Sequence, residues 1–186
     1  MTYRLLAVAL LIVLQASFIG FTTPRMQTAF SEGFEKGGKY SYVAGNVELD
    51  TGSWYMDDAL TGNLSSDRKI GNYSARVRNM GRVRMNFNKT GAGTVSIQHA
   101  VFSTDGPSAW QLWSSTDNGN TWAQVGTTVT TSSEVLQTAT FIVNNANAIR
   151  FELRKVSAGS GPGISLSNRI SFDNIQITDF TRPTPQ

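Results

Sequence analysis

The chain has 186 residues, 40% of them hydrophobic, with 17 glycines, a single histidine and no cysteine. That suffices for one good-sized domain and excludes a disulfide framework, a thiolate metal site and a histidine metal cluster. The 16 basic residues exceed the 13 acidic ones by three; without Arg4 and Arg25 the balance is 14 to 13, so bulk charge does not favour nucleic-acid binding.

Residues 1–21 have the pattern of a secretory signal peptide. Arg4 gives a positive start, Leu5 to Leu14 form an apolar run, and the small residues Ala16, Ser17 and Gly20 follow. Cleavage there predicts an extracellular or periplasmic protein that leaves the membrane. The alternative is an uncleaved anchor, because the apolar stretch continues through Phe18-Ile19-Gly20-Phe21. Without cysteine there is no lipobox. A polar lead over 22–29, a domain over 30–180 and a proline-bearing tail over 181–186 complete the expected organisation.

Within the domain, Phe30 and Phe34 anchor a first strand, and Tyr40–Val43 and Asn46–Leu49 are short extended pieces. Tyr73, Ala75 and Val77 alternate with Ser74, Arg76 and Arg78; Val83, Met85 and Phe87 alternate with Arg82, Arg84 and Asn86. Both runs have the two-residue period of half-buried strands, and Asn79-Met80-Gly81 between them predicts a three-residue hairpin loop. That register sets Arg78 opposite Arg82 and Arg76 opposite Arg84, four guanidinium groups on one outer face. Thr94 to Ser103 is another long strand.

Ala109 to Gly126 is the stretch around which the chain is organised. Two apolar runs flank Ser115-Thr116-Asp117-Asn118-Gly119-Asn120-Thr121-Trp122, the S-x-D-x-G-x-T-W pattern called an Asp box. Asp117 and Asn118 favour local backbone hydrogen bonds, Gly119 tolerates a left-handed conformation, and Trp122 covers the base of the hairpin. A Thr/Ser-rich connection follows. Leu136–Val143 and the alternating Ile149, Phe151 and Leu153 predict two strands with a turn at Asn144-Asn145-Ala146-Asn147 between them. Ile170 to Phe180 is the closing strand. Ile170 and Phe172 share one parity, Ile175 and Ile177 the other, which predicts a β-bulge at Asp173-Asn174. About ten strands with frequent turns predict an all-β protein, an antiparallel β-sandwich of jelly-roll type.

Phe34-Glu35, the Ser115–Trp122 pattern and Phe172-Asp173-Asn174-Ile175 occur in an order that resembles the jelly-roll domains of secreted bacterial proteins. The chain is similar to MAM-like, choice-of-anchor and carbohydrate-binding-module-like β-sandwiches over roughly Phe30 to Phe180. Such modules are often attached to secreted nucleases, peptidases and glycan-active enzymes; within these 186 residues no enzyme domain is expected beside this one. The resemblance implies an accessory binding or adhesive role.

His99, in phase with Val95, Ile97 and Val101, reads as structural rather than catalytic. Glu48-Leu49-Asp50 matches part of a glycanase signature but has Ser53 where a second glutamate is needed. Glu35, Asp57 and Asp173 are candidate ligands for a structural Ca²⁺, the alternative being a bulge with capped backbone groups. Trp54, Tyr55, Trp110 and Trp113 are candidate sugar-stacking aromatics; Trp110 and Trp113 differ in parity and are expected on opposite faces. Arg76, Arg78, Arg82 and Arg84 are candidate ligands for an anionic polymer, the alternative being neighbouring carboxylates such as Glu48, Asp50 and Glu152. The expected function is a secreted, non-enzymatic module that binds a polysaccharide or other cell-surface polymer. The alternatives are an adhesive protein-binding module and a small secreted hydrolase.

Overall fold

The computed structural model describes residues 30–156 and 163–182. The expected leader, the polar lead and most of the tail lie outside them. The described chain folds into nine strands: β1 (Phe30–Glu32), β2 (Gly45–Leu49), β3 (Gly52–Gly62), β4 (Ser74–Met85), β5 (Lys89–Val101), β6 (Ser108–Ser115), β7 (Ala123–Thr131), β8 (Gln137–Val156) and β9 (Ile170–Ile177). Every pairing is antiparallel.

Three strands are long enough to bend and serve both layers of a sandwich. The first halves of β3 and β2 pair with each other, and the second half of β4 continues that layer to the second half of β8, then to β6 and β7. The second layer joins the end of β3 and the start of β4 to β9, β5 and the first half of β8. Strand β1 lies against the far half of β9, with Phe30 opposite Ile177. The inward residues of both layers meet in one core that includes Phe34, Trp54, Met56, Met85, Ile97, Trp110 and Phe172.

The expected hairpin at Asn79-Met80-Gly81 does not form. Strand β4 runs straight through it and pairs with β3 on both sides, Val77 with Ala59 and Arg82 with Asp57. Asn79 is left-handed (φ 48°) and Asp58 opposite is too (φ 45°), so both strands bulge together and turn the corner between layers. A Cβ on Gly81 would stand 2.7 Å from the carbonyl oxygens of both Asp57 and Asp58, and so the corner needs glycine. The expected turn at Asn144–Asn147 is a second such bend, with Asn144 at φ 47° inside the 20-residue β8. The bulge expected in the last strand is present. Asn174 has φ 45°, and the register with β5 shifts between Ser96 and Gln98.

Candidate functional site

The outer face of the first layer gathers the groups that could meet a ligand. One row crosses it from strand to strand: Tyr55 on β3 is opposite Arg84 on β4, Arg84 opposite Glu152 on β8, and Glu152 opposite Trp113 on β6. Three inter-strand steps place Tyr55 and Trp113 about 14 Å apart along this row. The next row is Asp57, Arg82, Arg154 and Gln111. Arg150 stands two residues before Glu152 on the same side of β8, opposite Ser115.

Glu152 is the fixed point of this surface. Its side chain is fully buried, Oε1 accepts from Arg154 Nε, and Arg82 Nη1 and Arg84 Nη1 lie 3.9 and 3.7 Å from its two oxygens. Those longer contacts are ionic rather than hydrogen-bonded, and both Glu152 Oε2 and Arg82 Nε are buried with no hydrogen-bond partner. The aromatic rings hold the guanidinium groups flat. Arg84 lies 4.6 Å over Tyr55, and Arg154 lies 4.1 Å over Trp113 and 5.6 Å from Trp122. Trp113 Nε1 donates to Gln111 Oε1 (3.0 Å), and Gln111 Nε2 donates to Thr128 Oγ1 (2.9 Å).

The Ser115–Trp122 turn walls one end of the face. Ser115 Oγ accepts from Gly119 N–H (2.8 Å) and donates to Asp117 Oδ1 (2.7 Å), and Asp117 also accepts from the Thr121 N–H and hydroxyl. These donors, Ser115 first and Thr121 next, hold the Asp117 carboxyl well below the usual range. Asn118 and Gly119 take the left-handed conformations expected of them (φ 61° and 88°). Trp122 is half-buried and ties its indole N–H to the Gly119 carbonyl (3.0 Å). It therefore belongs to the rim of the face as well as to the turn. Arg150 Nε donates to Asn88 Oδ1 (2.6 Å), and burial, then the charge of Arg84, lower its guanidinium from the ordinary value.

The structure thus brings together four of the expected ligand residues, Tyr55, Trp113, Arg82 and Arg84. It places the other four elsewhere. Trp54 and Trp110 are core residues: Trp54 packs edge-on against Phe34 and Phe87, and Trp110 against His99, Phe141 and Phe172. Trp110 and Trp113 do occupy opposite faces, as their parity requires. Arg76 and Arg78 lie past the β4 corner. There Arg76 meets Asp67 (3.5 Å) and Phe102, and Arg78 meets Asp58 (2.9 Å) and the Tyr42 ring. With no hairpin, Arg82 faces Arg154 instead of Arg78, and Arg84 faces Glu152 instead of Arg76. Of the expected compensating carboxylates, Glu152 plays that part, while Glu48 and Asp50 are exposed on β2 and the turn after it. Arg150, Arg154, Gln111 and Trp122 complete the face; the alternation Arg150-Glu152-Arg154 signalled two of them.

The three residues expected to hold calcium do not fit it as a set. Asp57 faces Arg82 on the first layer. Glu35 accepts the Asn72 and Tyr73 N–H groups, and Asp173 accepts those of Ile70 (2.5 Å) and Asn174 (2.7 Å). Among the described residues no three of His, Cys, Asp and Glu are grouped as a metal site. His99 is buried, bonded through Nδ1 to the Thr131 hydroxyl (2.8 Å), and that hydroxyl also accepts the Trp110 indole N–H (3.1 Å).

Comparison with solved structures finds the same architecture. The K2 cleaved adhesin domain of Lys-gingipain superposes with a TM-score of 0.57 at 16% identity, over 81% of this chain and 99% of that one. The CBM22-1 xylan-binding domain from Paenibacillus barcinonensis Xyn10C superposes with a TM-score of 0.52 at 11% identity, over 83% and 95%. The fold is that of the adhesin and carbohydrate-binding jelly-roll modules. At these identities the likeness concerns architecture. No protein-family model and no curated protein matches the sequence.

Proposed function

We propose that this chain is an exported, non-catalytic module that binds a polysaccharide on the outer face of the first layer. The observation that carries the reading is the row Tyr55–Arg84–Glu152–Trp113. It crosses four strands with an aromatic ring at each end and Arg84 and the buried Glu152 between them, and is flanked by Gln111, Arg82 and Trp122. A sugar chain offers ring C–H faces and hydroxyl groups in succession, and a line of this kind meets both. The apolar run at Leu5–Leu14 supports export. The architecture shared with the xylan-binding domain supports carbohydrate as the ligand class. With His99 locked in the core, the general-base roles open to a histidine are closed.

The test is affinity electrophoresis or calorimetry on a panel of soluble polysaccharides with the wild type and Trp113→Ala. The indole is half-buried and outside the core, so the variant is expected to fold and to lose most of its affinity for whichever glycan the wild type retains. A panel on which the wild type binds nothing, while folded, would remove the reading. Retention of a protein ligand alone would favour the adhesive alternative.

A further inference from the structure

Charge is distributed unevenly over the arginines of this molecule. Away from the face, four of the described arginines pair one to one with carboxylates. Arg68 meets Glu134 (2.8 Å), Arg76 meets Asp67 (3.5 Å), Arg78 meets Asp58 (2.9 Å), and Arg169 meets Asp105 (2.8 Å). On the face, Arg82, Arg84, Arg150 and Arg154 share, among the described residues, only Asp57 and Glu152. Arg150 has no carboxylate within 4.0 Å among the described residues, and its one bonded partner is the Asn88 amide. Arg82 and Arg84 reach their carboxylates at 3.7–3.9 Å, beyond hydrogen-bond distance, which leaves their fork donors unspent.

The rings sharpen the point. Arg84 covers Tyr55 and Arg154 covers Trp113, so a ligand approaching this row meets the guanidinium groups as well as the aromatic surfaces beneath them. Stacking on a ring restricts a guanidinium and leaves its N–H edge free, which preorganises it for an oxyanion. The buried Glu152 fixes the guanidinium groups around it without neutralising them all.

We infer that the ligand of this face is an acidic polysaccharide, whose carboxylate or sulfate groups are taken by Arg84 and Arg150, with Arg82 beside them. The inference rests on the polysaccharide reading above and adds the charge of the chain. Glu152 then acts against near misses as well: a buried carboxylate at the centre repels an anionic group placed off the arginine positions.

The experiment compares matched polymers. Binding of the wild-type protein to polygalacturonate, to neutral galactan, to dextran sulfate and to double-stranded DNA is measured by calorimetry at low and high sodium chloride. The expected result is binding to the acidic polysaccharides over galactan and a steep loss of affinity with salt. Preference for polygalacturonate over dextran sulfate would assign the carboxylate, and the reverse the sulfate. Arg84→Gln and Arg150→Gln should each weaken that binding by about tenfold, as loss of one charge-assisted contact implies. Arg84→Lys, which keeps the charge and loses the fork, should fall between. Arg78→Gln, on a paired arginine past the corner, should leave binding unchanged. Salt-insensitive binding to galactan would overturn the inference while leaving the polysaccharide reading intact. Binding to none of the polysaccharides would remove both. Equal binding to DNA would overturn the inference in favour of a general polyanion surface. A folded Arg150→Gln protein with wild-type affinity would also overturn it.

Discussion

At the scale of single residues, two buried ionisable groups pull stability in opposite directions over one pH range. Burial lowers the His99 imidazole from 6.5 to about 4 in the folded state. The unfolded chain binds the extra proton between those values, so the contribution of His99 is present above pH 6.5 and is lost as pH falls towards 4. Burial raises the Asp173 carboxyl from 3.8 to about 6, and the nearby Glu35 and Glu32 charges add to it against two backbone N–H bonds. Here the folded state holds its proton longer, so the contribution is present below pH 3.8 and is lost as pH rises through 6. Melting curves from pH 4 to 7 should separate them. His99→Gln should flatten the acid-side loss of Tm, whereas Asp173→Asn should gain on the wild type as pH rises from 4 to 7. Parallel curves for all three proteins would refute both assignments. Much at this scale was legible in advance, because strand parity is local: it separated Trp110 from Trp113. It could not show that Tyr55 and Trp113 face the same way, since they sit on strands 58 residues apart in sequence number with two strands between them.

At the scale of elements, the lesson lies in the turn signals. Asn79-Met80-Gly81 and Asn144-Asn145-Ala146-Asn147 both have turn chemistry, and both became bends inside strands that pass from one layer to the other. The same left-handed asparagine closes a hairpin or bulges a strand, and the neighbouring strand decides which. In β3, Asp58 supplies the matching bulge, and nothing in the β4 sequence announces it. The Asp173-Asn174 bulge was legible because the apolar parity flips there; parity does not flip across Asn79 or Asn144. The β4 corner has a sharp requirement at Gly81. Gly81→Ala would drive a methyl against two backbone carbonyls and is expected to cost about 1–3 kcal/mol or more. A urea-unfolding midpoint unchanged from wild type would show that the corner relaxes freely. The same substitution should also disturb the face, because Arg82 is the next residue.

At the scale of the molecule, β3, β4 and β8 run through both layers, so neither layer has a complete set of strands of its own. Unfolding is therefore expected as a single transition, with far-ultraviolet circular dichroism, which reports the strands, and tryptophan fluorescence, which reports the buried Trp54 and Trp110, giving one midpoint. Two separated midpoints would mean that one layer survives alone. The sandwich class was legible from the density of short alternating runs, but the sharing of strands was not. It depends on pairings between residues such as Arg84 and Glu152 that no local pattern connects.

The β1–β9 pairing carries a mechanical consequence. Phe30 and Ile177 face each other, so a pull applied through those two positions acts on the same end of a three-residue antiparallel ribbon. Such a load opens the ribbon like a zipper, one bond at a time, instead of shearing it all at once. The first thing to give is β1, while the arginine face, built from β3, β4, β6 and β8, bears none of the initial tension. A module tethered through those positions and gripping a polymer on that face would yield at the tether before it released its hold.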